Sequence, residues 1–180
     1  MSEKEFVDKL KETPFSREEY SSIGLDEEFI NETLKAYNPP AKTSSIDHLY
    51  VDDPLIRLVE NYDMLHTEIG MVWFGGEIVE TEDFYRVGKF EADLLCISKL
   101  SGEVVVLSFD SLGVAYNCAR DSARFLDVMI VAAKFLEKCG LEDNLYTNQG
   151  AICAMAEYCS DLSGGSKYSN FYKVLLGCES

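Results

Sequence analysis

Two histidines, His48 and His66, and six cysteines at positions 96, 118, 139, 153, 159 and 178 are the chain's stock of imidazole base and thiol nucleophile. A cysteine hydrolase needs a thiolate beside an imidazole, and the pairings open to this chain are Cys118 or Cys96 with His66. No short motif ties either thiol to the ring, so a small cysteine hydrolase is the weakest of the readings developed below. Serine chemistry has less support, because no GxSxG elbow occurs and Ser108 and Ser111 sit in a loop-like stretch. Neither GxGxxG nor GxxxxGK[ST] is present. Gly75-Gly76 follows a strand-like run but precedes Glu77, whose carboxylate would repel a phosphate, so a turn with relaxed backbone angles is expected there.

The acids lack EF-hand spacing, and the cysteines lack CxxC spacing and histidine neighbours. No metal and no cofactor is therefore expected. The six cysteines read as reduced, buried thiols, which goes with a cytoplasmic location. Paired carboxylates such as Asp52 with Asp53, or Glu82 with Asp83, lie in charged stretches and read as solvated surface rather than acid–base pairs.

Binding is a stronger theme than catalysis. Glu77, Glu80, Glu82, Asp83, Glu91 and Asp93 stand against only Arg86 and Lys89, with Trp73, Phe84, Tyr85 and Phe90 interleaved. Rings that anchor and carboxylates that steer are what a contact with a basic protein uses. The candidate partner-binding set is Glu77, Glu80, Glu82, Asp83, Tyr85 and Glu91. The formal charge of the whole chain is −16, with 32 acids against 16 bases. Such a surplus disfavours nucleic-acid backbones and anionic membranes and favours a basic partner, although acidity also serves colloidal stability alone.

These residues need a scaffold, and 180 residues with 47% hydrophobic content suit one domain, 1–180, with a sizeable core. Phe6 and Leu10 share a helical face, and Ser16 with Glu19 forms a capping-box pattern. A further helix from Asp26 to Tyr37 buries Phe29, Ile30, Leu34 and Tyr37 and stops at Asn38-Pro39-Pro40, so residues 1–45 carry N-terminal helices ending in the linker AKTSS. Asp52-Asp53-Pro54 opens a short helix. From Ile69 the period changes: IGMVWFGG, ended by its glycine pair, and residues 83–89, 93–98, 103–109 and 113–118 read as strands of an antiparallel sheet of four to six strands.

Ser122 caps a long helix that Gly140 ends, and the helix shows only a narrow polar stripe of Arg124, Asp127, Lys134 and Lys138. It must be covered on two or three sides. Residues 141–180 add helices at about 148–160 and 169–177, separated by a flexible SGGS at 163–166. The fold class is α+β. The amino terminus has no apolar run of signal-peptide type, and no stretch reaches the ~18 apolar residues that a membrane span needs.

The strand IGMVWFGG, the hairpin LLCISKLSGEVVVL and the helix ARDSARFLDVMIVAAKFL together resemble the SUKH superfamily of Smi/Knr-related proteins over residues 53–138. VDDPLIRLVENYD is the nearest counterpart of the LP-containing segment near the start of many members. The resemblance implies helices packed on a mainly antiparallel sheet, no shared catalytic residues, and either of two roles. One is a bacterial immunity protein that neutralises a basic polymorphic toxin, nucleases among them, by occlusion. The other is an intracellular regulatory or scaffolding module of the Smi/Knr type.

Overall fold

A computed structural model describes residues 1–43 and 51–179, so His48 and the end of the expected linker, Ser44 and Ser45, lie outside the described residues. Three short helices come first: α1 (Glu3–Lys11), α2 (Arg17–Ser22) and α3 (Glu27–Ala36). Ser2 and Ser16 each make a reciprocal capping box, with Glu5 and Glu19, and Asp26 caps α3 by accepting from the Phe29 amide. Each cap satisfies amides that the first helical turn leaves without partners. α1 buries Phe6, Val7 and Leu10. In α3 only Ile30 is buried, whereas Phe29, expected inside, is 51% exposed.

The chain after α3 is not a free linker where it is described. Ala41 bridges to Tyr62, the Lys42 amide donates to Asn61 O at 2.8 Å, and the Lys42 ammonium donates to Val59 O at 2.6 Å. These partners belong to the end of α4 (Pro54–Asn61), which starts as expected, with Asp53 capping the Leu55 and Ile56 amides and Pro54 in the first turn.

Six strands then form one antiparallel meander in sequence order: β1 (Glu68–Ile69), β2 (Val72–Glu80), β3 (Phe84–Phe90), β4 (Asp93–Ser98), β5 (Val104–Leu107) and β6 (Val114–Ala119). Contrary to the expectation of a turn, Gly75-Gly76 does not end its strand. β2 runs through the pair, and its register against β3 slips between Phe74 and Val79. Positive φ at both glycines, +104° and +85°, lets the strand bulge there without ending. At Gly88 the strands approach so closely that a Cβ would lie 2.2 Å from the Trp73 carbonyl oxygen.

The sheet has two unlike faces. Leu95, Ile97, Val104, Val106 and Cys118 join the main core with residues of the helices, from Phe6 in α1 onward. On the other face Cys96, Val105 and Leu107 make a separate small cluster with Phe84 and Leu94, and no helix residue joins it among the described residues.

α5 (Ser122–Leu141) is the central helix, burying Phe125, Leu126, Val128, Met129, Ile130, Ala132, Ala133, Phe135 and Cys139. It packs against α1, α4, β6 and the C-terminal helices, which matches the expectation of cover on several sides. Its cap is Asp121 rather than Ser122: the aspartate accepts from the Arg124 amide, while the Ser122 hydroxyl is buried without a partner. The helix also passes through Gly140 to Leu141.

α6 (Asp143–Tyr146), not anticipated, leads into α7 (Gln149–Ser163), capped by Asn148 as expected. A 3-10 turn (Ser166–Tyr168) leads to α8 (Ser169–Leu176), which buries Phe171, Tyr172, Leu175 and Leu176. The SGGS joint is tied down, not loose: Arg120 N donates to Ser163 O at 3.0 Å, and Ser160 Oγ donates to Gly165 O at 2.8 Å. Two cysteines depart from the reduced set: Cys153 and Cys178 form a disulfide across the α7–α8 hairpin. The other four are free and buried.

Candidate functional site

The six candidate binding residues all belong to the β2–β3 hairpin and the turn after it, but they fall into two groups. At the hairpin tip, Thr81 closes the turn by accepting from the Phe84 amide, which leaves Glu82 and Asp83 exposed. Glu80 and Tyr85 are paired across the strands just below. Lys99 links this group: its ammonium bonds Glu80 at 2.6 Å and sits 4.7 Å over the Tyr85 ring, and its amide donates to Asp83 O at 2.8 Å. The bond to Glu80 raises the Lys99 pKa. Tyr85 is half-buried against the main core, so it presents an edge rather than a whole ring.

Glu91 is elsewhere. It occupies the β3–β4 turn at φ +51°, its amide donating to Met71 O at 3.0 Å, and the length of β3 puts about 20 Å between it and the tip. There it shares an open groove of ≈ 530 Å³ with Trp73, Phe74, Leu65, Lys89 and the glycine pair. Glu77 is exposed in the bulge between the two groups. The Glu77, Glu82 and Glu91 carboxylates make no hydrogen bond or salt bridge among the described residues, so their charge is available to a partner.

The thiols and His66 do not come together. Cys118 is fully buried, and burial pushes its pKa well up; Cys96, on the opposite face of the sheet, is pushed up to about 11 by burial, with Arg86 pulling slightly the other way. His66 instead lines a recess with Phe29, Glu32, Lys35 and Glu68, which none of the thiols lines. Burial disfavours the thiolate that a nucleophile needs. Among the described residues no group of three or more His, Cys, Asp or Glu is arranged to hold a metal ion, and no helix is long and apolar enough to cross a membrane.

One polar cluster escaped the sequence reading. Glu137 of α5 accepts from the Tyr20 hydroxyl at 2.5 Å and from the Tyr37 hydroxyl at 2.6 Å, joining α2 and the end of α3 to the central helix. Burial and the adjacent carboxylate raise both phenol pKa values beyond their ordinary range. The available signal was position: Glu137 lies outside the stripe of Arg124, Asp127, Lys134 and Lys138, on the side of α5 that carries Ile130 and Ala133. Each bond runs from a phenol donor to a carboxylate acceptor, so the cluster ties the N-terminal helices to α5.

Comparison with protein families, with curated proteins and with solved structures finds no match to this chain.

Proposed function

We propose that this chain is a non-enzymatic, immunity-type binding protein that holds a basic toxin domain and neutralises it by occluding the toxin's own working surface. The carrying observation is the exposed, unbridged acid surplus along the β2–β3 hairpin, set in a chain of net charge −16. This role is one of the two that the resemblance to Smi/Knr-related proteins implies. A contact of ordinary size buries on the order of 1,600 Å² in total, and opposite charge raises association rates by about 10 to 10³ at low salt. A cytoplasmic site of action belongs to the proposal. The Cys153–Cys178 disulfide is the feature that weighs against a reducing compartment.

The test is surface plasmon resonance between the purified chain and a toxin domain encoded beside its gene, from about 50 to about 300 mM salt. The expected result is an association rate that falls at least tenfold over that range, and tenfold at fixed salt when Glu77 and Glu91 become lysine, with dissociation changing less. Binding indifferent to both salt and those charges overturns the proposal.

A further inference from the structure

The register of the sheet lines up one row of side chains across the face that no helix among the described residues covers: Trp73, Lys89, Leu94, Leu107 and Val114, one from each of β2 to β6. Four strand spacings make this row about 19 Å long. Trp73 is 44% exposed and Val114 53%, whereas Leu94 is half-buried and Leu107 buried between them, so the apolar surface lies at the two ends of the row. The turn joining Leu107 to Val114 adds Phe109 and Leu112, 64% and 63% exposed, and Leu65 adds another exposed side chain beside Trp73. Several large apolar side chains left in water on one face are uncommon on a chain that works alone. Leu112 also stands at φ +55°, where glycine or asparagine is the easier residue.

The surroundings of the row point to its occupant. Glu68 pairs with Trp73, Glu77 follows the glycine bulge, Glu91 lines the Trp73 groove, and Asp110 is next to Phe109. Against these four acids this face has Lys89 in the row and Arg86 in the next. A second copy would bring the same acid rim against itself. We propose that this uncovered sheet face, from Trp73 to Leu112, is a docking surface for an apolar patch ringed by lysine or arginine on a basic protein. This rests on the basic-partner reading above and assigns the contact to the sheet face rather than to the hairpin tip at Glu82 and Asp83.

Trp73 is the only tryptophan of the chain, so its emission reports directly on this face. The whole chain is titrated, at about 150 mM salt, with an amphipathic leucine–lysine peptide and separately with oligolysine of equal charge. The expected result is a blue shift of Trp73 emission and at least tenfold tighter binding of the amphipathic peptide. Leu65→Gln with Leu112→Asn, both exposed positions, should abolish that advantage, while Glu82→Gln with Asp83→Asn should change either affinity less than twofold. Equal binding of the two peptides with unshifted emission overturns the docking surface and leaves the basic-partner reading standing; binding of neither overturns both. A dimer seen by sedimentation that Leu65→Gln with Leu112→Asn dissolves makes a second copy the occupant, and overturns the inference too.

Discussion

Glu137 and Glu103 are carboxylates with structural partners, and each has a measurable consequence. Replacing Glu137 by alanine strips the acceptor from the hydroxyl of Tyr37, a buried residue, and from that of Tyr20. An orphaned buried donor costs about 1–3 kcal/mol, so urea denaturation should show a loss at the upper end of that range, and Tyr37→Phe alone about 1 kcal/mol. Glu103 accepts from Lys167 and from the Tyr168 hydroxyl, pinning the 3-10 turn before α8 to the start of β5. Lys167, then burial in the opposing direction and Tyr168, leave its carboxyl below the ordinary glutamate range. A depressed folded-state pKa gives stability that is complete above the unfolded value and is lost as pH falls through the folded one. Melting followed by circular dichroism should therefore show an acid-side loss, as pH falls below the ordinary glutamate range, that Glu103→Gln reduces. The difference should not exceed about 1 kcal/mol, because Lys167 is half in solvent.

Among the elements, the α7–α8 hairpin is where the sequence misled. Cys153 and Cys178 are 25 residues apart with no motif between them, and only the antiparallel return of α8 along α7 brings them together. Gln149 reinforces the closure, its amide nitrogen donating to Gly177 O at 3.3 Å and its carbonyl oxygen accepting from Glu179 N at 3.0 Å. The unfolded protein, kept from reductant, should titrate four thiols with Ellman's reagent, those of Cys96, Cys118, Cys139 and Cys159, while the native protein reacts slowly. Cys153→Ser with Cys178→Ser should cost roughly 3.5 kcal/mol in thermal or urea unfolding, the chain-entropy value for a loop of that length. Six titratable thiols would show the pair to be open. By contrast, the caps at Ser16, Asp53 and Asn148 were legible, because a short polar side chain ahead of an amphipathic run acts on amides only two or three residues away.

For the whole molecule, charge is the dominant variable. Sixteen surplus negative charges on one chain repel one another, and salt screens that repulsion over about 8 Å at physiological strength. The melting temperature of the free protein should rise by a few degrees between about 10 and 200 mM sodium chloride, as measured by calorimetry, while association with a basic partner slows over the same range. The two opposite responses separate self-repulsion from recognition. A melting temperature that falls with added salt would mean that native ion pairs such as Glu80–Lys99 and Asp121–Arg124 outweigh the repulsion.

The α+β class, the antiparallel sheet, the buried central helix and the acid surplus were all determined by the sequence, since each is written in local period, capping residues or a simple count of charges. Tertiary structure alone decided the rest. It kept β2 running through Gly75-Gly76, because a strand partner can hold a bulge that a sequence shows only as two glycines. It spread the six candidate residues along a hairpin, with Glu80, Glu82, Asp83 and Tyr85 at its tip, Glu77 in the bulge and Glu91 at the far end, because strand length and register, not proximity in sequence, set distance. It left one face of the sheet without a helix among the described residues, because where helices pack depends on the path of the whole chain, and an alternating strand shows only that it has two faces.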